Sequence, residues 1–503
     1  MSFLRKLVRH KTIEQLQSEA GKRGDFRRVL GLWQLTAIGI GGIIGVGIFV
    51  LAGQQAAVNA GPAVAISFLI AGFGSACAAL CYAEFAGLIP VTGSAYTYGY
   101  AVLGEFAAWI IGWDLLLEYA LVVAVVAIGW SGYVQVLLGS AGVHLPEWAQ
   151  QSMSAQTMQY YLQQIFGVHG GEAIAGPSDG HRFNVIAAAV SVAVAVLLTV
   201  RTEWGARFNT AVVVIKVIGV LLVVGVGVFY IDTSNWHPFI PARVVDVSSG
   251  LGHFGWQGVL TGASVVFFAV FGYDTLTTAA EESKNPQRDL PRAVLLSLAI
   301  AMLLYVSVSL VLTGITHYSN LGGEASVSDA FEQIGLHWLS VTIAAAAVIG
   351  VTSVLFAFML GAARIWFALA RDGLLPAWFA KVSPRFGTPA RPTMILGLFT
   401  ALVAGLLPIG EVAELVNIGT LTAFIIICAS IMLLRVRRPD LKRGFKTPLV
   451  WITAPLGILF SAALIYGLPW ITYERFLLWM AIGCVIYFAW GVRHSRMEQA
   501  GRE

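Results

Sequence analysis

Long apolar stretches, separated by short polar segments, recur along the whole chain of 503 residues. A helix crosses the hydrocarbon core of a membrane in about 20 apolar residues, and the stretches of that length predict twelve membrane-spanning helices. These spans are expected at residues 31–54, 62–87, 99–138, 183–200, 208–230, 258–280, 293–316, 338–363, 393–409, 412–434, 449–468 and 473–492. The apolar stretches are continuous rather than alternating at every second residue, which disfavours a transmembrane β-barrel.

The composition supports the same class of protein. Hydrophobic residues make up 57% of the chain and charged residues only 12%, whereas soluble proteins carry roughly 25% charged residues. A water-facing surface needs more charge than this chain has, and the mean hydropathy of +0.78 excludes disorder and coiled coil. We therefore expect an all-α polytopic membrane protein.

The basic residues indicate how the spans are oriented. If the N-terminus is cytoplasmic, 27 of the 31 Lys and Arg residues fall in cytoplasmic segments, as the positive-inside rule requires. Arg182, Arg243 and Arg475 fall outside. A missed or added span would scramble this separation, so we expect a multi-pass protein of the cytoplasmic membrane with both termini in the cytoplasm.

The remaining basic residue, Lys216, lies within the fifth predicted span. It is about eight residues into the span, roughly 12 Å along the helix axis at 1.5 Å per residue. One interpretation is an interfacial anchor whose ammonium reaches the membrane surface. A lysine at mid-membrane is costly and usually functional, and we expect Lys216 to be a proton-coupling site.

Four carboxylates also lie within predicted spans: Glu84, Asp114, Glu118 and Asp274. Asp114 and Glu118 are four residues apart, so both are on one face of the third span. They either hold this helix against its neighbours through hydrogen bonds or lie beside the transport path, and Glu118 is the stronger candidate for the path. Glu84, near the cytoplasmic end of the second span, is interpreted as structural.

Glycines interrupt the first and sixth predicted spans. Five of the nine residues from Gly39 to Gly47 are glycines, and Gly272 interrupts the sixth span just before Asp274 and Thr275. A packing face of small residues is one explanation, but the glycines of the first span point around the helix. Interrupted helices at matching positions in two halves are the signature of an inverted-repeat secondary transporter with its site at the midplane.

Four segments together resemble a known family. The first span contains GIGGIIGVGIF at 39–49, and the sixth continues into EESKNPQRDLPRA at 281–293. Both resemble the amino acid–polyamine–organocation (APC) transporters. WDLLLEYAL at 113–121 and RIWFALARDGLLP at 364–376 are similar to its cationic amino acid transporter branch. The similarity covers roughly residues 27–440.

The resemblance implies the LeuT-like APC fold, a five-plus-five inverted repeat in which helices 1 and 6 are unwound around an amino acid. On this basis the chain is expected to divide into a cytosolic segment (1–30), a first repeat (31–232), a second repeat (233–437), two further spans (438–494) and a cytosolic tail (495–503).

The resemblance also implies roles for individual residues. The substrate carboxylate would meet backbone N–H groups of Gly45, Val46 and Gly47. The α-ammonium would meet carbonyls near Ile43 and in the turn from Phe268 to Phe271, and the phenyl ring of Phe268 would act as a gate. Lys216 matches the lysine that replaces a sodium ion in proton-coupled relatives. Roles near the site are also implied for Glu118, Thr352 and Ser353, and the polar environment of the sixth span adds Asp274 as polar support.

Two departures limit this transfer. Val46 stands where the family often has a small or hydroxylated residue, and the chain has twelve predicted spans where animal members of the branch have fourteen. Arginine or lysine is therefore not established as the substrate. If Phe356 and Met359 of the eighth span face the pocket, they favour an apolar substrate side chain.

We expect an amino acid permease coupled to protons through Lys216. An obligatory exchanger, with Lys216 as a fixed structural cation, is the alternative, and counterflow separates the two. A membrane enzyme is disfavoured because none of the nine histidines lies deep in a span or pairs at metal-ligand spacing. A channel is a further possibility that saturable, stereoselective uptake would exclude.

The remaining expectations concern partners. No metal or other cofactor is expected besides the coupling proton, and the partners are an amino acid and the lipid bilayer. Nucleic acid is excluded because no basic stripe with interleaved aromatic residues is present.

Within segment 1–30, the apolar residues Phe3, Leu4, Leu7 and Val8 recur at helical spacing and predict either an amphipathic helix or a solvated start that only sets topology. The sequence does not indicate an accessory subunit.

Overall fold

A computed structural model of the chain describes most of the apolar stretches. It describes residues 9–10, 30–89, 94–153, 157, 160, 180, 182–200, 206–245, 252–278, 280, 283–383 and 388–496. The amphipathic helix predicted within segment 1–30 lies outside the described residues.

Helices account for nearly all regular structure in this part of the chain. The main helices are α1 (Leu32–Ile43), α2 (Val64–Leu88), α3 (Ser94–Val102), α4 (Glu105–Ser140), α5 (Val185–Val200), α6 (Ala206–Gly227), α7 (Gly255–Val270), α8 (Thr275–Thr278), α9 (Pro286–Ile315), α10 (Ser326–Gln333), α11 (His337–Arg371), α12 (Ala390–Leu406), α13 (Ile409–Arg437), α14 (Val450–Tyr466) and α15 (Trp470–Ile486). Two short strands, β1 (Val244–Val245) and β2 (Gly252–His253), pair antiparallel with Val244 opposite His253.

Length and apolar composition show which helices suit a membrane. Seven helices in the described residues are long and apolar enough to cross one, and five further apolar helices are shorter. Two of the short ones, α1 and α7, belong to the glycine-interrupted spans. The chain is thus an all-helical polytopic membrane protein, while the number of twelve crossings stays a prediction.

The third predicted span begins as two helices rather than one. Helix α3 ends at Val102 and α4 begins at Glu105. Gly104 between them has a φ of 103°, a conformation that glycine adopts without the steric cost other residues meet. The apolar stretch at 99–138 therefore contains a sharp corner followed by one long helix.

Most helices pack in two groups. In the first group, α9 contacts α1, α2 and α7, and α2 also contacts α7, while α4, α5, α11 and α12 form the second group. Helix α6 contacts both α1 and α11, while α13 contacts α2, α4 and α7. The first predicted span and the sixth lie in the first group, so the two helix breaks face the α4–α11 pair across the centre of the molecule.

A buried ion pair fastens α2 to the end of α13. Arg435 donates from Nε and Nη2 to the two carboxylate oxygens of Glu84, at 2.8 and 2.7 Å. Arg443 Nε lies 2.9 Å from the same carboxylate, and the backbone N–H of Thr447 donates to it at 2.7 Å. The Glu84 side chain is fully buried, and these groups compensate its charge, which supports the structural interpretation of this residue.

Removing this carboxylate should destabilise the protein. In Glu84→Ala, the guanidinium groups of Arg435 and Arg443 lose their shared partner, and breaking a buried ion pair costs about 3–5 kcal/mol. We expect a markedly lower apparent melting temperature of the purified protein. Glu332→Ala is the matched control, since Glu332 pairs with His337 at an exposed site and should change the melting temperature little. Equal effects of the two substitutions would contradict the structural role of Glu84.

Candidate functional site

The first span is interrupted within its glycine-rich segment. Helix α1 ends at Ile43, Ile44 is extended with φ −73° and ψ 106°, and a π-helical turn begins at Gly47. The first N–H groups of a helix and the last carbonyls of the preceding one lack partners within their own helix. The N–H groups of Gly45, Val46 and Gly47 are therefore at the beginning of one half-helix, close to the carbonyl end of the other.

The sixth predicted span is interrupted in the same way. Helix α7 ends at Val270, Phe271 is extended, and α8 begins at Thr275. Gly272 has a φ of 109°. The two breaks cross at glycines, since a β-carbon on Gly272 would lie 2.7 Å from the carbonyl oxygen of Gly42. Only glycine at these positions lets the two backbones approach this closely.

A narrow cavity lies where the breaks meet. Its lining includes the backbone or side chains of Gly42, Ile43, Gly45, Val46, Gly47, Phe268 and Phe271 from the two broken spans. The other lining residues are Val122 and Val126 of α4, with Val354 and Phe358 of α11. All six residues of the first and sixth spans for which a substrate contact is predicted thus line one cavity.

The residues of the eighth predicted span that line this cavity are not the two considered in the sequence analysis. Phe356 and Met359 are buried, but among the described residues the lining contributed by α11 is Val354 and Phe358. Positions 354 and 358 are one helical turn apart and so share a face. The apolar pattern of this span allowed either face, and packing against α4 and α6 selects one.

Lys216 reaches the carbonyl end of α1. Its Nζ donates to the carbonyl oxygens of Gly41 at 2.7 Å and Ile44 at 2.9 Å, and to Ser353 Oγ at 3.3 Å. The side chain is fully buried, so it is not an interfacial anchor. A cation at a helix C-terminus interacts favourably with the helix dipole, and here it also satisfies carbonyls that lost their helical donors.

A glycine on α11 makes room for this lysine. A β-carbon on Gly350 would lie 2.5 Å from Lys216 Cβ and within 3.5 Å of its Cγ and Cδ. The aliphatic stem of Lys216 therefore passes α11 at a glycine, the only residue type small enough to leave room for it. Lys216 thus joins α1, α6 and α11, which belong to the first, fifth and eighth predicted spans.

The adjacent hydroxyls of α11 point to different partners. Ser353 accepts from Lys216 and donates to the carbonyl of Gly350 at 2.7 Å. Thr352 accepts from Trp130 Nε1 of α4 at 2.9 Å and donates to Val348. Ser353 therefore belongs to the lysine site, whereas Thr352 belongs to the contact between α11 and α4.

Asp274, at the second break, accepts a hydrogen bond from an aromatic side chain of α4. The hydroxyl of Tyr119 on α4 donates to Asp274 Oδ2. The Tyr119 ring packs edge-on against Phe358, with centroids 5.1 Å apart, and Phe358 in turn lies 6.1 Å from Phe271. Asp274 is therefore connected to the cavity through Tyr119 and Phe358 rather than by lining it.

The acidic pair on α4 faces another helix. Glu118 is within hydrogen-bonding reach of Thr420 on α13, and a β-carbon on Gly419 would meet Asp114 Oδ1 at 2.5 Å. Both acids are buried. They lie at the interface of α4 with α13, and Glu118 is not among the described residues that line the cavity.

Several residues around the site were not predicted. Tyr305 of α9 donates from its hydroxyl to the carbonyl of Ile43 at 2.7 Å, so it also satisfies the end of α1. A tyrosine deep in an apolar span carries a polar hydroxyl, and this signal in the sequence could have identified Tyr305 as a candidate site residue. Val122, Val126 and Val354 carry no such signal because any buried helix face contains valines.

No metal site emerges from the described part of the chain. Within residues 9–10 and the described ranges from 30 to 496, no group of three or more His, Cys, Asp or Glu side chains is placed to hold a metal ion.

Comparison with known proteins adds the family context. Residues 30–489 match the family described as amino acid permease. The chain is 40% identical to the branched-chain amino acid permease BcaP of Bacillus subtilis (strain 168), over 98% of this chain and 99% of that protein. It is 38% identical to the methylthioribose transporter of the same organism, with the same coverage. It is 33% identical to human cationic amino acid transporter 4, over 86% of this chain and 63% of that protein.

The crossing of the two breaks can be tested with two glycines of positive φ. Gly335 has a φ of 78° with nothing near a β-carbon, so Gly335→Ala should cost only the left-handed conformation, about 1–2 kcal/mol. Gly272→Ala adds a clash with the Gly42 carbonyl, about 1–3 kcal/mol more. We expect Gly272→Ala to lower the apparent melting temperature more than Gly335→Ala does. The same small decrease for both would contradict the close crossing.

Proposed function

Because the chain belongs to the amino acid permease family, we propose that it carries amino acids across the cytoplasmic membrane by proton-coupled symport, with alternating access around the cavity described above. Membership of this family supports a transporter rather than an enzyme. The observation that carries the proposal is the meeting of two broken helices, with free ends of opposite polarity, at one small cavity.

The ends of the half-helices suit a zwitterion. The N–H groups of Gly45, Val46 and Gly47 carry the positive end of a helix dipole, where a carboxylate binds favourably. Carbonyls at Ile43 and at the break after Val270 supply acceptors for an α-ammonium. A neutral thio-sugar such as methylthioribose has neither charged group, so these ends favour an amino acid over the substrate named for the second relative.

The cavity favours an amino acid with an apolar side chain. Its side-chain lining in the described residues consists of valine, isoleucine and phenylalanine, which offer a guanidinium or ammonium no acceptor. Leaving such a group unpaired in an apolar site is costly. The name of the BcaP relative, a branched-chain amino acid permease, supports the same class, and we take L-leucine as the first probe.

Lys216 is proposed as the proton-coupling group. Its ammonium ties α6 to the carbonyl end of α1 through Gly41 and Ile44. When this group loses its proton, the site loses both a positive charge and one hydrogen-bond donor. The carbonyls at the break then lack their cation, so the position of α1 is linked to the protonation state of one side chain.

The helix pairing supports the proposed inverted repeat. Helices α4 and α11, α2 and α9, and α5 and α12 make extensive contacts, and each pair joins equivalent spans of the two proposed repeats. Such packing is what a two-fold axis in the membrane plane would produce. The repeat gives the two breaks equivalent places on either side of the cavity.

Uptake into proteoliposomes tests this function and its alternative. Purified protein, reconstituted with an inward proton gradient, should accumulate labelled L-leucine and lose the accumulation when an ionophore collapses the gradient. An obligatory exchanger would take up label only when the lumen contains amino acid, whatever the gradient. A thermal-shift screen of the twenty amino acids should identify the ligand, because ligands that bind the folded state raise its apparent stability.

Replacing the lysine should abolish coupling. Lys216→Met keeps a long apolar stem but removes the charge and the donors to Gly41 and Ile44. We expect gradient-driven accumulation of L-leucine to fall to the level of empty liposomes. Unchanged accumulation in this variant would remove Lys216 from the coupling mechanism.

Two neighbouring hydroxyls provide matched controls for the lysine. Ser353→Ala removes a hydrogen-bond partner of Lys216, whereas Thr352→Ala removes hydrogen bonds with Trp130 and the Val348 carbonyl that do not involve Lys216. Proton-driven accumulation should decrease in Ser353→Ala and stay close to wild type in Thr352→Ala. The opposite order would contradict the placement of Ser353 beside the coupling group.

Enlarging the cavity should change substrate selectivity. Phe358→Ala removes a ring from the lining, so larger apolar amino acids such as tryptophan should compete better with L-leucine uptake than they do in wild type. Phe356→Ala removes the same ring from the same helix outside the lining, and it should leave the order of competitors unchanged. Competition by a panel of unlabelled amino acids measures both. An altered order in Phe356→Ala alone would contradict the assignment.

A further inference from the structure

One face of α4 follows the second half of the first span. Val122, Val126, Gly129 and Tyr133 are separated by four, three and four residues, so they share one side of the helix. Val122 and Val126 line the cavity. Tyr133, at the other end of this face, donates from its hydroxyl to the carbonyl of Phe49. Gly129 lies between the cavity and this anchor.

At Gly129 the first span packs closely against α4. A β-carbon on Gly129 would lie 2.5 and 2.8 Å from the two γ-carbons of Val46 and 3.1 Å from Val50 Cγ2. Contacts shorter than 3.0 Å to a side chain this short require the chain to shift. The absent side chain of Gly129 therefore forms a notch that holds the isopropyl group of Val46.

The first span cannot simply move away from α4. Its π-helical turn is fixed by Tyr133 at Phe49 and by Ser326 of α10, which donates to the carbonyl of Val50 at 2.9 Å. On the other side, a β-carbon on Gly47 would lie 2.6 Å from Cα of Ala269 on α7. A methyl group in the notch would therefore displace Val46 rather than the whole turn.

We propose that Gly129 is a positioning residue of the substrate site, whose notch receives Val46 and so sets where the N–H groups of Gly45, Val46 and Gly47 meet the substrate carboxylate. Gly129 does not line the cavity in the described structure, and it acts through Val46, which does. This inference rests on the proposed function, because it assigns the carboxylate of an amino acid to those N–H groups.

A glycine-to-alanine pair tests the notch. Gly129→Ala should raise the KM and the Kd for L-leucine about tenfold, the effect of weakening one hydrogen bond to a charged group. The maximal uptake rate per folded transporter should change much less. Gly225→Ala is the matched control, because a β-carbon at Gly225 of α6 would meet nothing within 4 Å, and its KM should equal that of wild type.

Restoring the space should restore binding. In Gly129→Ala/Val46→Ala, the smaller side chain at position 46 makes room for the new methyl group, so the KM should return close to that of Val46→Ala alone. A purely structural loss in α4 would not be repaired at position 46. If Gly129→Ala does not fold, Val46→Ile provides the same test, since it overfills the notch without changing α4 and should also raise the KM.

The outcomes separate this inference from the function on which it rests. If wild-type protein neither binds nor transports any amino acid, both are overturned. If wild type transports L-leucine but Gly129→Ala has an unchanged KM, only the inference fails. It also fails if the double variant is no better than Gly129→Ala, or if Val46→Ile binds L-leucine as wild type does.

Discussion

Backbone groups inside a membrane need hydrogen-bond partners, because the hydrocarbon core supplies no water to replace them. In the described residues, α1 and α7 end within predicted spans, and side chains of neighbouring helices satisfy part of what the end of α1 exposes. Lys216 and Tyr305 donate to the carbonyls at the end of α1. The residues that follow, Gly45 to Gly47, line the cavity, where the proposed substrate carboxylate would accept hydrogen bonds from their N–H groups.

The glycines around the site are needed for close approach more than for flexibility. Gly42 and Gly272 allow the two breaks to cross, Gly350 lets the stem of Lys216 pass α11, and Gly129 accepts Val46. A methyl group at any of these positions would contact backbone or a short side chain. The site is therefore held by contacts that leave little room, and small substitutions away from the cavity should alter it.

Transport requires that these contacts differ between states. Near the cavity, α4 and α11 contact the broken spans and α6 through Lys216 with Ser353, the Tyr119–Asp274 hydrogen bond, the Val46–Gly129 packing and the Tyr133–Phe49 hydrogen bond. Each joins a broken span, or a helix bound to one, to the α4–α11 pair. A change of charge at Lys216 would act directly on one of these connections, and the proposed proton coupling would link to helix movement in this way.

The sequence by itself determined the membrane class, the two interrupted spans, the isolated lysine and the family, because hydropathy, glycine runs and an unpaired charge are local features. It located the residues of the broken spans that line the cavity, since broken helices must expose backbone where they break. The tertiary structure alone decided which side of each unbroken helix faces the cavity. Val354 and Phe358 line it rather than Phe356 and Met359, and Glu118 faces α13, because helices apolar all round carry no stripe that fixes their rotation. Packing against neighbours, through glycines such as Gly129 and Gly350, sets that rotation.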